Sequence, residues 1–400
     1  MKKILKYVLG GIALLLVIAI IVFIIIRQPK VDPNIDKDKW NTNYTYVFVH
    51  GLSGWGSYDM TNKFVPYWGM FGGSTIKYLN KQGFDCYAAS VDPHGSAWDR
   101  ACELYAQLTG TVVDYGAAHS KEYKHDRYGK DFTGKALIDT WSAEDKINLV
   151  GHSFGGATVR LFSELMANGD ANEQAATAKT EISEFFTGGK ADWIYSITTL
   201  AAPHNGTTAY NVGDVEDPAP PSGFSATIEN MLGNAMSKAN SEDGDGRDTR
   251  DYAAYDMYID NALTLNERIN TLGNIYYFSV PCSSTEKTEK GNYLPKVDIT
   301  DIMFRRSARL MGTYTGKTDG GYIIDKNWLE NDGLVNTISA TAPFNSPTKK
   351  FDAESITPGV WNIMPTYEGD HMSIQGGLFK VNHVKDYYVD FMTVINEIEK

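Results

Sequence analysis

The chain has 400 residues, 42% of them hydrophobic, which suffices for one large core or a core with insertions. Its formal net charge of −12 argues against a nucleic-acid partner, whose phosphates need a basic surface. Three cysteines, Cys86, Cys102 and Cys282, are too few for a disulfide framework and read as buried thiols.

The first thirty residues stand apart from the rest. Lys2, Lys3 and Lys6 precede an uncharged apolar run over 8–26. As a helix that run would reach roughly 28 Å, enough for a bilayer core. No small-residue cleavage site follows it; Ile26 leads into Arg27, Gln28 and Pro29. The expectation is an uncleaved signal anchor over 1–30, with the large domain outside the cell membrane. A cleaved signal peptide, and so a secreted protein, is the alternative. Residues 31–43 are polar and charged, as a tether would be, and a catalytic domain follows over 44–400.

Residues 44–49 are apolar and β-rich, a first strand broken by His50, Gly51 and Leu52. A second strand is expected over 84–91. Helical spacing places Ala101, Leu104, Tyr105 and Leu108 on one face over 99–108. Further strands are expected over 147–150, 194–202 and 274–280, and an amphipathic helix closes the chain over 381–398. Strands alternating with helical patterns imply an α/β fold with a mostly parallel sheet. One stretch, about 209–256, breaks the rhythm. Within it Ile228, Met231, Leu232 and Met236 fall near helical spacing between a proline-rich and a polar segment. It reads either as an insertion packed on the core or as a short flap over a site.

The strand over 147–150 runs into Gly151-His152-Ser153-Phe154-Gly155, and a helical pattern follows. This is G-x-S-x-G between a strand and a helix, where a tight turn pushes the serine hydroxyl out of the sheet. A serine needs a base to take its proton and a carboxylate to orient that base. Among the histidines after Ser153, His204 ends the next strand and His383 begins the last helix. His371 lies in a polar loop after a short apolar run, where a base on a late sheet loop belongs. Asp332, followed by Gly333, is the expected acid; Asp370 adjoins the histidine and is the competitor. Two backbone N–H groups are also required for the oxyanion. Phe154, just after the nucleophile, and Leu52, on the loop after the first strand, are the expected donors. A second cluster, Asp99, His119, His125 and Asp256, offers carboxylate and imidazole groups that zinc accepts, although spacing alone does not name a metal.

The motifs Val49-His50-Gly51, Trp98-Asp99-Arg100-Ala101, Val113-Asp114-Tyr115-Gly116-Ala117-Ala118-His119, Val150-Gly151-His152-Ser153, Pro203-His204-Asn205-Gly206, Tyr255-Asp256 and Glu330-Asn331-Asp332-Gly333 occur in that order. With them the chain resembles the zinc-containing lipases of thermophilic bacilli and staphylococci, from Tyr44 to the C-terminus. The resemblance implies an α/β-hydrolase core, a Ser-His-Asp triad at Ser153, His371 and Asp332, and hydrolysis of lipid esters through an acyl-enzyme. It also implies a structural zinc on Asp99, His119, His125 and Asp256, with Asp251 and Asp248 as rivals for the fourth place. The family's calcium site falls on Ser373 and Leu378, which supply no carboxylate, so that site is expected to be lost. The insertion is shorter than the family's lid region, which implies weak interfacial activation. The expected function is that of a lipase or carboxylesterase whose partners are a lipid or ester substrate and, through the N-terminal helix, a membrane. A phospholipase or acyltransferase would use the same triad, and a non-catalytic surface binding protein is the reading from another class.

Overall fold

The apolar strands expected from the sequence lie side by side in one sheet. The computed structural model describes residues 35–213, 215–221, 227, 229, 231, 246–378 and 384–399. Seven strands form the main sheet: β1 (Thr45–Val49), β2 (Cys86–Ala89), β3 (Ile147–His152), β4 (Ile194–Leu200), β5 (Tyr276–Val280), β6 (Thr348–Lys350) and β7 (Trp361–Ile363). Their spatial order is β6-β7-β5-β4-β3-β1-β2, and every neighbouring pair is parallel. In β1–β3 the register sets Val47 opposite Leu149 and Val49 opposite Gly151.

Strand alternation divides the core between the two faces of the sheet. On one face Val47 and Val49 pack with Leu104 and Leu108 of helix α2 (Ala97–Thr109) and with Val159 and Phe162 of helix α4 (Gly155–Asn168). On the other face Tyr46 and Phe48 pack with Leu79 of α1 (Thr75–Gln82) and with Tyr388 and Met392 of α7 (Lys385–Asn396). Helix α3 (Ala117–Tyr123) and a hairpin of Val112–Asp114 with Tyr128–Asp131 follow α2. Helices α5 (Ile259–Arg268) and α6 (Ile302–Met311) lie farther along. All three cysteines are buried free thiols.

The chain enters the domain at the amino ends of the strands. Asn41 and Thr42 N–H groups donate to the Asn396 carbonyl at 2.7 and 3.0 Å. Trp40 meets Phe84 with ring centroids 4.7 Å apart. The apolar run over 8–26 and the first residues of the tether, 31–34, lie outside the described residues. Among those described, no helix is long and apolar enough to cross a membrane.

The stretch about 209–256 joins the core through ion pairs. Arg309 on α6 bonds Asp217 at 2.8 Å and Glu229 at 2.9 Å, and Arg309 and Glu229 are buried. Of the apolar residues expected on a flap, Met231 is exposed; Ile228, Leu232 and Met236 lie outside the described residues.

Candidate active site

Strand β3 ends at His152, helix α4 begins at Gly155, and Ser153 makes the turn between them. Ser153 has φ 55°, a left-handed conformation that costs a non-glycine residue about 1–3 kcal/mol. The surroundings hold it there. Its N–H donates to the Leu200 carbonyl at 2.8 Å. A Cβ on Gly155 would come within 2.3 Å of the Val49 carbonyl oxygen, and one on Gly51 within 2.7 Å of Ser153 Cβ. Only glycine at those two positions lets the helix and the first loop close on the turn.

The sheet brings His371 and Asp332 to this turn, although they stand 39 residues apart in the chain. His371 Nε2 lies 2.8 Å from Ser153 Oγ, and His371 Nδ1 lies 2.8 Å from Asp332 Oδ2. The second oxygen of Asp332 accepts N–H groups from Leu334 at 3.0 Å and Val335 at 2.7 Å. A carboxylate acting only as acceptor fixes the His371 proton on Nδ1 and leaves Nε2 to receive one from serine. All three side chains are buried. Asp370 is committed elsewhere, to the backbone of Asp301 and the hydroxyl of Ser373. His204 bonds Thr199 at 3.0 Å, and His383 lies outside the described residues.

The loop after β1 is braced on several sides. His50 Nε2 accepts the Val91 N–H at 3.2 Å, so its Nδ1–H donates to the Gly51 carbonyl at 2.9 Å. Burial, with the nearby Arg100 charge, lowers the His50 pKa to about 3 and keeps the ring neutral. The Arg100 guanidinium donates to the carbonyls of His50 and of Asp92, and its carbon sits 5.2 Å over the Phe154 ring. In a planar trans peptide C=O and N–H point opposite ways, so a fixed Gly51 carbonyl fixes the Leu52 N–H. No side chain caps α4, and Phe154 stands at its N-cap.

A second group of side chains gathers at the start of α2. Asp99, His119, His125 and Asp251 each bring a ligand atom within 4.8 Å of the others. His119 Nε2 lies 3.1 Å from Asp99 and 3.2 Å from Asp251, and His125 Nε2 lies 3.3 Å from Asp251. Burial opposes charge on His119, but the carboxylates of Asp251 and Asp99 beside it prevail and raise its pKa to about 9. Two carboxylates and two imidazoles suit a tetrahedral zinc, and His125 Nε2 and both Asp251 oxygens are buried without a hydrogen-bond partner. The fourth member corrects the sequence reading, which placed Asp256 there. Asp256 instead accepts the Ala97 N–H at 2.8 Å, and burial raises its pKa to about 7. Asp248 bonds the Arg250 guanidinium.

The sequence and the fold both have close counterparts. The family description "Lipase-like, C-terminal domain" matches residues 42–242 and 242–398. The chain is 33% identical over 363 residues to a lipase of Staphylococcus hyicus, which is 83% of this chain and 53% of that protein. It belongs to the lipase family. Lipase 2 of Staphylococcus aureus is also 33% identical, over 367 residues, 83% of this chain and 50% of that protein. The chain thus spans about half the length of the curated relatives it matches. Among solved structures, EstA from Clostridium botulinum superposes with a TM-score of 0.78 at 30% identity, covering 94% of this chain and 93% of that one. Staphylococcus hyicus lipase gives a TM-score of 0.73 at 29% identity, covering 92% and 98%. The resemblance to staphylococcal lipases read from the motifs holds across most of the chain, and the mostly parallel sheet with its helices is the α/β-hydrolase-like lipase fold of these relatives.

Proposed function

We propose that this chain hydrolyses carboxylic esters of lipids, as a lipase or carboxylesterase, with Ser153 as nucleophile, His371 as base and Asp332 as the group that orients the base. The observation that carries the reading is the pair of 2.8 Å bonds on His371, one to Ser153 and one to Asp332. In the first half-reaction Ser153 Oγ attacks the ester carbonyl carbon while its proton passes to His371 Nε2. The negative oxygen of the tetrahedral intermediate takes hydrogen bonds from the Leu52 and Phe154 N–H groups. His371 then protonates the departing alcohol, leaving an acyl group on Ser153. Water, deprotonated by the same nitrogen, releases the acid. Asp332 stays ionised throughout and stabilises the imidazolium.

Asp99, His119, His125 and Asp251 would hold one zinc ion. With four protein ligands no position remains for substrate, so the metal would brace α2, α3 and the segment carrying Asp251. Ser373 and Leu378 support no calcium site. The domain reading is a leader over 1–30, a tether over 31–43 and one catalytic domain over 44–400 with an insertion about 209–256. The lysine-flanked apolar run supports an extracellular catalytic domain, anchored in the cell membrane or secreted once the leader is cleaved.

The test measures nitrophenyl esters of increasing chain length and tributyrin emulsions, with a fluorophosphonate probe to mark the nucleophile. Turnover lost in Ser153→Ala, together with labelling confined to Ser153, is expected. Activity retained by that variant would overturn the reading.

A further inference from the structure

We propose that Tyr67 and His152 are positioning residues: one chain of hydrogen bonds through their side chains ties the backbone of His371 to the loop that carries the Leu52 N–H. The proposal rests on the serine-hydrolase reading above.

His152 precedes the nucleophile and is fully buried. Its Nε2 lies 2.9 Å from the His371 carbonyl oxygen. A carbonyl only accepts, so that nitrogen carries the proton and Nδ1 must accept. Nδ1 lies 2.6 Å from Tyr67 Oη, so the phenol donates to it. The same phenol oxygen accepts the Gly51 N–H at 3.1 Å. Every donor and acceptor in the line therefore has one role. Gly51 gives to Tyr67, Tyr67 gives to His152, and His152 gives to His371.

Reversing any link would leave a buried donor facing a donor. Burial, with the His371 ring nearby, keeps His152 neutral, so the direction of the line does not change as the base takes up its proton. Tyr67 cannot swing aside, since Trp55 and Trp68 meet its ring edge-on with centroids 5.5 and 5.4 Å away.

The two ends of the line serve opposite sides of the reaction. His371 receives the serine proton, and the Gly51-Leu52 peptide faces the oxygen that turns negative. His50 holds that peptide by its carbonyl, which sets its tilt, and Arg100 holds the carbonyl of the preceding one. Tyr67 holds the N–H of the preceding peptide, which sets its distance from the base. A link of this kind stabilises the transition state and adds little to ground-state binding, so its loss lowers kcat and leaves KM.

The test compares Tyr67→Phe with the parent chain on a soluble nitrophenyl ester, counting active sites by fluorophosphonate titration. Tyr67→Phe keeps the ring and its packing and removes one hydroxyl. We expect kcat per titrated site to fall about tenfold at unchanged KM, the loss of one buried hydrogen bond. Affinity for butylboronic acid, which copies the tetrahedral state, should fall by the same factor. His152→Gln should lower both quantities, and the double variant should be no worse than the poorer single one, because the residues act as one line. An unchanged kcat in Tyr67→Phe, or a lower fraction of active sites with normal turnover per site, overturns the positioning role. Failure of the hydrolase reading would show separately, as activity surviving in Ser153→Ala.

Discussion

Asp370 Oδ2 accepts the backbone N–H of Asp301 at 2.7 Å, which joins the loop of the candidate base to the start of α6. Its other oxygen accepts the Ser373 hydroxyl at 2.9 Å. The carboxylate next to His371 in sequence is thus a brace for the loop, while the distant Asp332 holds the ring. Asp332→Asn should therefore lower kcat by about 10³–10⁴-fold. Asp370→Asn should keep kcat within about tenfold and cost about 1–3 kcal/mol of stability. Steady-state kinetics and urea unfolding of the two variants check both halves.

The same brace bears on calcium. Ser373 spends its hydroxyl on Asp370, and Leu378 is apolar, so the loop offers no set of free carboxylates for a hard cation. Titrating millimolar calcium into chelated protein should move the melting temperature by less than about 2 °C, as expected when no site couples binding to folding. A larger rise in a melting scan would reveal a site elsewhere.

For the candidate metal group of Asp99, His119, His125 and Asp251, elemental analysis should find about one zinc per chain. Asp251→Ala should remove the metal and lower the melting temperature. Asp256→Ala should retain the metal, because that carboxylate serves the Ala97 N–H. Metal content that follows Asp256 instead would reverse the assignment.

Glu103 provides a pH test that is independent of catalysis. It is bound to the Asp92 N–H and, at 2.9 Å, to the Tyr115 hydroxyl. Burial, aided by the Asp92 charge, raises its pKa to about 8. An acid whose folded pKa lies above its unfolded value of about 4.5 makes folding less favourable as pH rises between the two. The loss is absent below about pH 4.5, grows to about pH 8 and is constant above. Glu103→Gln should therefore gain stability at pH 8 relative to pH 5, by a few kcal/mol at most. Urea unfolding at both pH values reads the difference; an equal effect at both would sink it.

The insertion should detach when its buried ion pairs are broken. Arg309→Met leaves Asp217 and Glu229 without their cation and should cost about 3–5 kcal/mol. Faster limited proteolysis between 214 and 245 should accompany the loss.

Part of this arrangement was legible from residue order alone. The motif around Ser153 states its own context, Asp332 is marked by the glycine after it and His371 by a polar loop after a short apolar run, and the fold sets those two side chains 2.8 Å apart. Asp251 was legible only as a rival to Asp256 for the fourth place in the metal group. It closes a polar run without periodicity, and a short turn, Thr249–Asp251, buries its carboxylate where no pattern of apolar residues predicts burial. Helix α6 was also missed, because Arg305, Arg306 and Arg309 make the stretch read as charged and the burial of Arg309 depends on partners far away in sequence. Tyr67 was hidden for another reason. An aromatic residue beside Trp68 reads as core, and only the fold brings its hydroxyl to His152.

The bonds from Asn41 and Thr42 to Asn396 place the start and the close of the domain side by side, at the amino ends of parallel strands whose carboxyl ends carry Ser153. A handle at either end would thus point the same way. Coupled to a bead or a display scaffold from that edge, the domain would turn the face that carries Ser153 outward, toward the medium.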